Sequence, residues 1–126
     1  MNIQKELQFQ VECMQGVAVV NCAGRMVRGA ALDELRRCVE RLDRVRMLVL
    51  DLSDVEQVDA GGLGTLLLMR RWAMRSAAKM KLVNPPSFFR NMLEVTHLSS
   101  LFEISSLKEA ICILRTQECP PQFAIA

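Results

Sequence analysis

Residues 47–52, Met-Leu-Val-Leu-Asp-Leu, form a short and almost unbroken apolar run between two stretches of helical character. Before the run, from Arg28 to about Arg44, apolar residues fall at Ala31, Leu32, Leu35, Cys38, Val39 and Leu42. That spacing is helical, with Arg36, Arg37, Glu40, Arg41 and Asp43 on the outer face. After it, residues 62–78 form a second helix. A short apolar run set between helices reads as a central strand covered on both faces. The same alternation continues downstream. MKLV (80–83) predicts a strand, Pro85-Pro86 opens a helix over 87–96, LFEI (101–104) is a last short strand, and Ser106 caps a closing helix over 107–115. Upstream, 8–14 and 17–23 are β-rich runs on either side of Gln15-Gly16, a hairpin signal. The expected fold is α/β: a mixed, mostly parallel sheet of four to five strands with an N-terminal β-hairpin and about four helices.

At 126 residues the chain has the size of one domain, expected over 1–115, with 116–126 as an irregular C-terminal tail. Half of it (51%) is hydrophobic, enough for a core and against global disorder. Sixteen basic and 14 acidic side chains leave a net charge of +2, which excludes long-range attraction to nucleic acid or an anionic membrane. The five cysteines are odd in number and lack a Cys-x-x-Cys pair, so neither a disulfide framework nor a zinc knuckle fits. Cys22 and Cys112, in apolar surroundings, read as small buried thiols. His97 is the single histidine, which removes any two-histidine metal site within one chain and leaves a catalytic triad dependent on one ring. No cofactor or metal is expected. The first ten residues lack the pattern of a signal peptide, and no apolar stretch is long enough to span a membrane. A cytoplasmic location follows as the expectation.

The most informative segment is Asp51-Leu-Ser-Asp-Val-Glu-Gln-Val-Asp59-Ala-Gly-Gly-Leu-Gly64-Thr65, read as a buried strand, an acidic connection and a helix start. Backbone N–H groups and the positive end of the helix dipole point outward there, and glycines permit close approach. As a nucleotide-binding turn it is incomplete. Gly62-x-Gly64 lacks the third glycine of a dinucleotide fingerprint, and no Gly-Lys-Ser/Thr follows. Asp51, Asp54, Glu56 and Asp59 could hold Mg²⁺ or accept a phosphoryl group, but no downstream motif supports catalysis. Acids before the helix and Arg70, Arg71, Arg75 and Lys79 toward its end also simply complement the helix dipole.

DLSDVEQVDAGGLGTLLL resembles the signature of STAS domains, the anti-sigma factor antagonist family, in which a strand ending Asp-Leu-Ser leads to Asp-Ser-Ser-Gly-Leu-Gly at a helix start. LVNPPSFFRNMLEVTHLSSLFEI is similar to the family's Leu-Val-Asn-Pro segment, its following helix and its Leu-Phe-Glu-Ile strand, and KEAI (108–111) fits the final helix. The resemblance covers roughly residues 6–115 and implies a STAS-like fold. In family members under kinase control, the second serine of Asp-Ser-Ser-Gly is phosphorylated by the partner anti-sigma kinase. Here Ala60-Gly61 replaces the serine pair, so Gly61 stands at the lost phosphoacceptor position. Thr65 and Ser53 carry the nearest hydroxyls. His97 replaces a glycine usual after the helix and reads as a C-cap residue.

The helical angular step of about 100° per residue puts Leu63, Leu66, Ala73, Met74 and Ala77 on a face toward the sheet, with Arg70 in the same sector. Leu68 and Trp72 point elsewhere. Trp72 is read equally as a partner contact or as packed under a neighbouring loop or tail. The resemblance implies a non-enzymatic module that binds through Asp59, Ala60, Gly61, Gly62, Thr65, Leu68 and Trp72, with the nearby Gly24-Arg25 end of the second strand. The implied partner is an anti-sigma factor of the histidine-kinase-like ATPase type, or another signalling protein. A STAS subunit of a lipid-transport or stress-signalling complex is the alternative, and a nucleotide-binding or phosphoryl-accepting domain a weaker one. The sequence leaves a homodimer open. Residues 1–63 carry 8 basic and 10 acidic groups and residues 64–126 carry 8 and 4, so the sign of the charge changes at the glycine turn.

Overall fold

A computed structural model describes residues 6–105. Strand β1 (Gln8–Met14) and β2 (Val17–Met26) form an antiparallel hairpin. Gln15 and Gly16 both have positive φ, 52° and 81°, the conformation of a two-residue hairpin turn whose twist matches the flanking strands. Helix α1 (Ala30–Glu40) leads to β3 (Met47–Val58), α2 (Ala60–Arg75) to β4 (Lys79–Val83), and α3 (Ser87–Val95) through a 3-10 turn at Ser99–Leu101 to β5 (Glu103–Ser105). The sheet order is β1-β2-β3-β4-β5, with β2 to β5 parallel. The mixed, mostly parallel sheet with a leading hairpin is therefore as the sequence predicts, with five strands. Three α-helices lie among the described residues. The predicted fourth helix (107–115), its cap Ser106, Cys112 and the tail lie outside them.

Each crossover moves one strand further in the same direction. Right-handed connections then place α1, α2 and α3 on one face of the sheet. The main core forms there from Val20, Leu48, Leu50, Leu52 and Leu82 of the sheet against Leu35, Val39, Leu66, Met69, Phe89 and Leu93 of the helices. A second cluster, Val17, Met47, Val49 and Val83, holds the other face. The unbroken apolar run is thus the signature of alternating residues buried on both faces of β3. Cys22 is 2% exposed, and burial first, then the nearby Asp51 charge, pushes its thiol pKa up to about 12. It is an unreactive core thiol.

Several boundaries move. β3 does not stop at Leu52. It continues through the acidic segment to Val58, paired with β2 alone, because β4 ends its pairing at Asp51↔Val83. Two register shifts, at Asn21/Ala23 and Gly24/Arg25, bend the pair. They change the strand's period, so Leu52, Val55 and Val58 are buried at a spacing of three rather than two. α2 begins two residues earlier than predicted and ends at Arg75. Met74 is 62% exposed and Ala77, beyond the helix, is also exposed, so neither belongs to the core face. Leu101 lies in the 3-10 turn and not in the last strand. Arg70 is half-buried, and its Nε donates to the Leu101 carbonyl at 2.9 Å, so no acid is needed to hold it.

Candidate interaction site

The turn between β3 and α2 is organised by one carboxylate. Asp59 is the N-cap of α2, and its Oδ1 accepts from the Gly62 backbone N–H at 2.9 Å. The same carboxylate accepts from the Arg28 backbone N–H, at 3.3 Å to Oδ1 and 3.1 Å to Oδ2. Its own N–H donates to the Met26 carbonyl at 3.4 Å. Asp59 therefore fastens the end of β2 and the approach to α1 onto the start of α2. Partial desolvation alone would raise its pKa. The backbone N–H groups of Gly62, Arg28 and Gly61, with its own, outweigh that and hold the carboxyl below its ordinary value.

Two glycines are required by this closeness. A Cβ on Gly62 would overlap the Met26 carbonyl oxygen and lie 2.9 Å from Val58 Cγ2. A Cβ on Gly61 would lie 2.9 Å from Arg28 Cβ and 3.2 Å from both Arg28 Cα and Asp59 Oδ1. The space that a serine would need at position 61 is already filled by the stem of Arg28. Gly64 is different: nothing lies within 4 Å of the Cβ position, which opens outward from the first turns of α2.

The predicted site residues separate into a surface and a support. Ala60 and Leu68, the latter 43% exposed, face outward; Gly61 is partly open. Gly62 and Thr65 lie beneath, Thr65 at 6% exposure. Trp72 is half-buried and packs against the main core. Gly24 and Arg25 sit in β2 opposite Val55 and Gln57, one strand away from the turn's approach. An open depression lined by Ala23, Gly24, Ser53, Asp54, Val55 and Glu56 runs beside it. Ser53 is exposed, and its Oγ donates to Asp51 Oδ1 at 2.7 Å while its N–H donates to the same oxygen at 3.0 Å. Asp51 and Asp59 are thus both engaged in local hydrogen bonds, and no group of three potential metal ligands occurs among the described residues. His97 follows α3 with φ 60°, the left-handed position closing that helix, which is the physical reason a glycine would suit the site.

Arg28 is the residue that the sequence did not single out. It lies 31 residues from Asp59, and no spacing rule links them. Only the pairing of β2 with the extended β3 brings Arg28 over the helix start.

The profile of the family described as Mlab, STAS domain matches residues 10–105. Among solved structures, the anti-sigma factor antagonist SpoIIAA in its unphosphorylated form superposes with a TM-score of 0.74 at 20% identity, over 86% of this chain and 96% of that one. An anti-sigma factor antagonist from Mycobacterium paratuberculosis gives 0.72 at 24% identity, over 87% and 95%. A sulfate transporter family protein from Wolinella succinogenes gives 0.68 at 15% identity, over 81% and 87%. At these identities the likeness to the solved structures is one of fold.

Proposed function

The chain belongs to the family of STAS domains, and from that membership we propose that it is a non-enzymatic protein-interaction module that docks through the Asp59–Thr65 turn and the exposed side of α2. The observation that carries this reading is the geometry at Gly61. The turn presents Ala60, Gly61 and Gly64 at a helix start, and Arg28 occupies the volume of any side chain at 61. A phosphate would bring about −1.5 to −2 charge to such a surface. This surface is built without its acceptor. The partner is an anti-sigma factor of the histidine-kinase-like ATPase type, and the module stays competent for binding, regulated by its abundance in the cytoplasm rather than by phosphorylation at 61.

A second reading follows from the same glycine. If the partner is not a kinase, an acceptor serine has no use, and the domain is the STAS subunit of a lipid-transport or stress-signalling complex. The match to the Mlab, STAS domain family and the similarity to a transporter-family protein favour keeping it. No helix among the described residues is long and apolar enough to cross a membrane, so in that setting the described part would act as an attached domain.

Incubation with an anti-sigma factor ATPase, with and without ATP, followed by size separation and intact-mass measurement, tests the first reading. The expected result is a complex that ATP does not dissolve and a chain of unchanged mass. A stoichiometric phosphate adduct would overturn the constitutive antagonist, and absence of any complex would favour the second reading.

A further inference from the structure

Among the described residues, β1 is the outermost strand of the sheet and is paired on one side only. Exposed strand edges invite pairing with another chain, and proteins commonly protect them with proline, lysine, bulges or a covering element. β1, Gln-Phe-Gln-Val-Glu-Cys-Met, has no proline and no lysine, and its pairing with β2 is unbroken by any bulge. Every other residue from Gln8 to Glu12 is exposed, as are Cys13 and Met14, the last at 69%. Phe9 and Val11 are only partly covered where they pack against the main core.

The hairpin turn determines which backbone groups face outward. A two-residue turn makes its flanking residues, Met14 and Val17, a hydrogen-bonded pair, and pairs alternate from there along the ladder. Met14, Glu12, Gln10 and Gln8 therefore spend their N–H and C=O groups on β2. Cys13, Val11 and Phe9 direct theirs to the open edge.

We propose that β1 pairs antiparallel with β1 of a second copy of this chain, about a twofold axis through Val11, giving one sheet continuous across both copies. In this register Val11 faces Val11 of the second copy, and Phe9 faces its Cys13, so all three outward-directed backbones find partners and three small or apolar side chains meet on the helix-bearing face. On the other face Gln10 lies opposite Glu12 and Gln8 opposite Met14. The single charge of the strand thus meets an amide donor instead of itself, which moving the axis to Glu12 would not allow. The surface is self-complementary, as a twofold interface requires. The pairing uses only the outer edge of β1. It leaves the α2 turn outside the contact, and the dimer would present two such turns.

Sedimentation or light scattering of the whole chain at micromolar concentration should give twice the 14.2 kDa chain mass. Val11→Pro removes an N–H that β2 does not use, and an edge strand tolerates proline there. It should halve the measured mass while leaving the circular dichroism spectrum unchanged. Register is read separately in a Cys13→Ser background. Mixing Gln10→Cys chains with Glu12→Cys chains should yield an interchain disulfide between positions 10 and 12, whereas neither variant alone links to itself at those positions. A monomeric wild-type chain, a Val11→Pro variant that folds and stays dimeric, or self-linking in place of cross-linking would each overturn the proposal. Should Val11→Pro fail to fold, the cross-linking pattern decides.

Discussion

The two ends of α2 are closed by different means. At its start, Asp59, Gly61 and Gly62 are fixed by β2 and by the segment around Arg28, more than thirty residues earlier in the chain. At its end, the closure is local. Ala77 has φ 55°, its N–H donates to the Met74 carbonyl at 3.2 Å, and the Ala78 N–H reaches the Ala73 carbonyl at 2.7 Å. That is the pair of bonds of a Schellman motif, made with alanine where glycine is the usual residue. The start of the helix therefore tolerates little change, because tertiary contacts fill it. The end carries a residue that backbone energetics alone would replace. Where sequence freedom is lost without a local reason, the surroundings of the residue supply one.

The sharpest way to break this contrast uses two glycines two residues apart. Gly62→Ala should destabilise the fold by about 3 kcal/mol, since its methyl group meets backbone and a packed valine. Gly64→Ala, with open space at its Cβ, should instead stabilise by about 1 kcal/mol through helix propensity. Denaturant midpoints of the two variants check this, and equal effects of one sign would refute it. Next in size, Asp59→Ala should cost about 1–2 kcal/mol as a lost N-cap. Its pH dependence has a defined sign. Because folding lowers the Asp59 pKa, its contribution is complete above the unfolded value near 4 and disappears as pH falls through the lower folded value. Acid titration of thermal stability should therefore flatten in Asp59→Asn, which keeps a capping oxygen but does not ionise. The smallest effect belongs to the local end. Ala77→Gly should gain about 1 kcal/mol by relieving a left-handed alanine, with His97→Gly behaving alike at the end of α3.

Structure is legible in this sequence where a pattern is local. The two-residue turn at Gln15-Gly16, the doubly buried run 47–52 and the spacing of Leu32, Leu35 and Val39 each state their structure within a few residues. The extended conformation of 53–58 is not legible, for a physical reason. Register shifts against β2 convert a strand's period from two to three, so exposed Asp54 and Glu56, set among buried Leu52, Val55 and Val58, resemble a connection. The core face expected for α2 does not extend to its end: Met74 lies in the last turn yet is 62% exposed, and Ala77 lies beyond the helix. For the site, Asp59 as an acid before a glycine-rich helix start was legible. That Arg28 packs against Gly61 was not, since only the folded sheet brings these residues together.

The account's central claim is that the open face at Gly64 receives a protein partner. A Gly64→Arg variant tests it most directly, because its side chain enters open space and leaves the fold intact. Affinity for an anti-sigma factor ATPase should be measured by calorimetry for wild type and variant, with thermal unfolding measured in parallel. The account predicts an unchanged or raised unfolding temperature together with a loss of affinity of at least about a hundredfold, the size expected for obstructing a central contact. Equal affinity of the two folded proteins would contradict it.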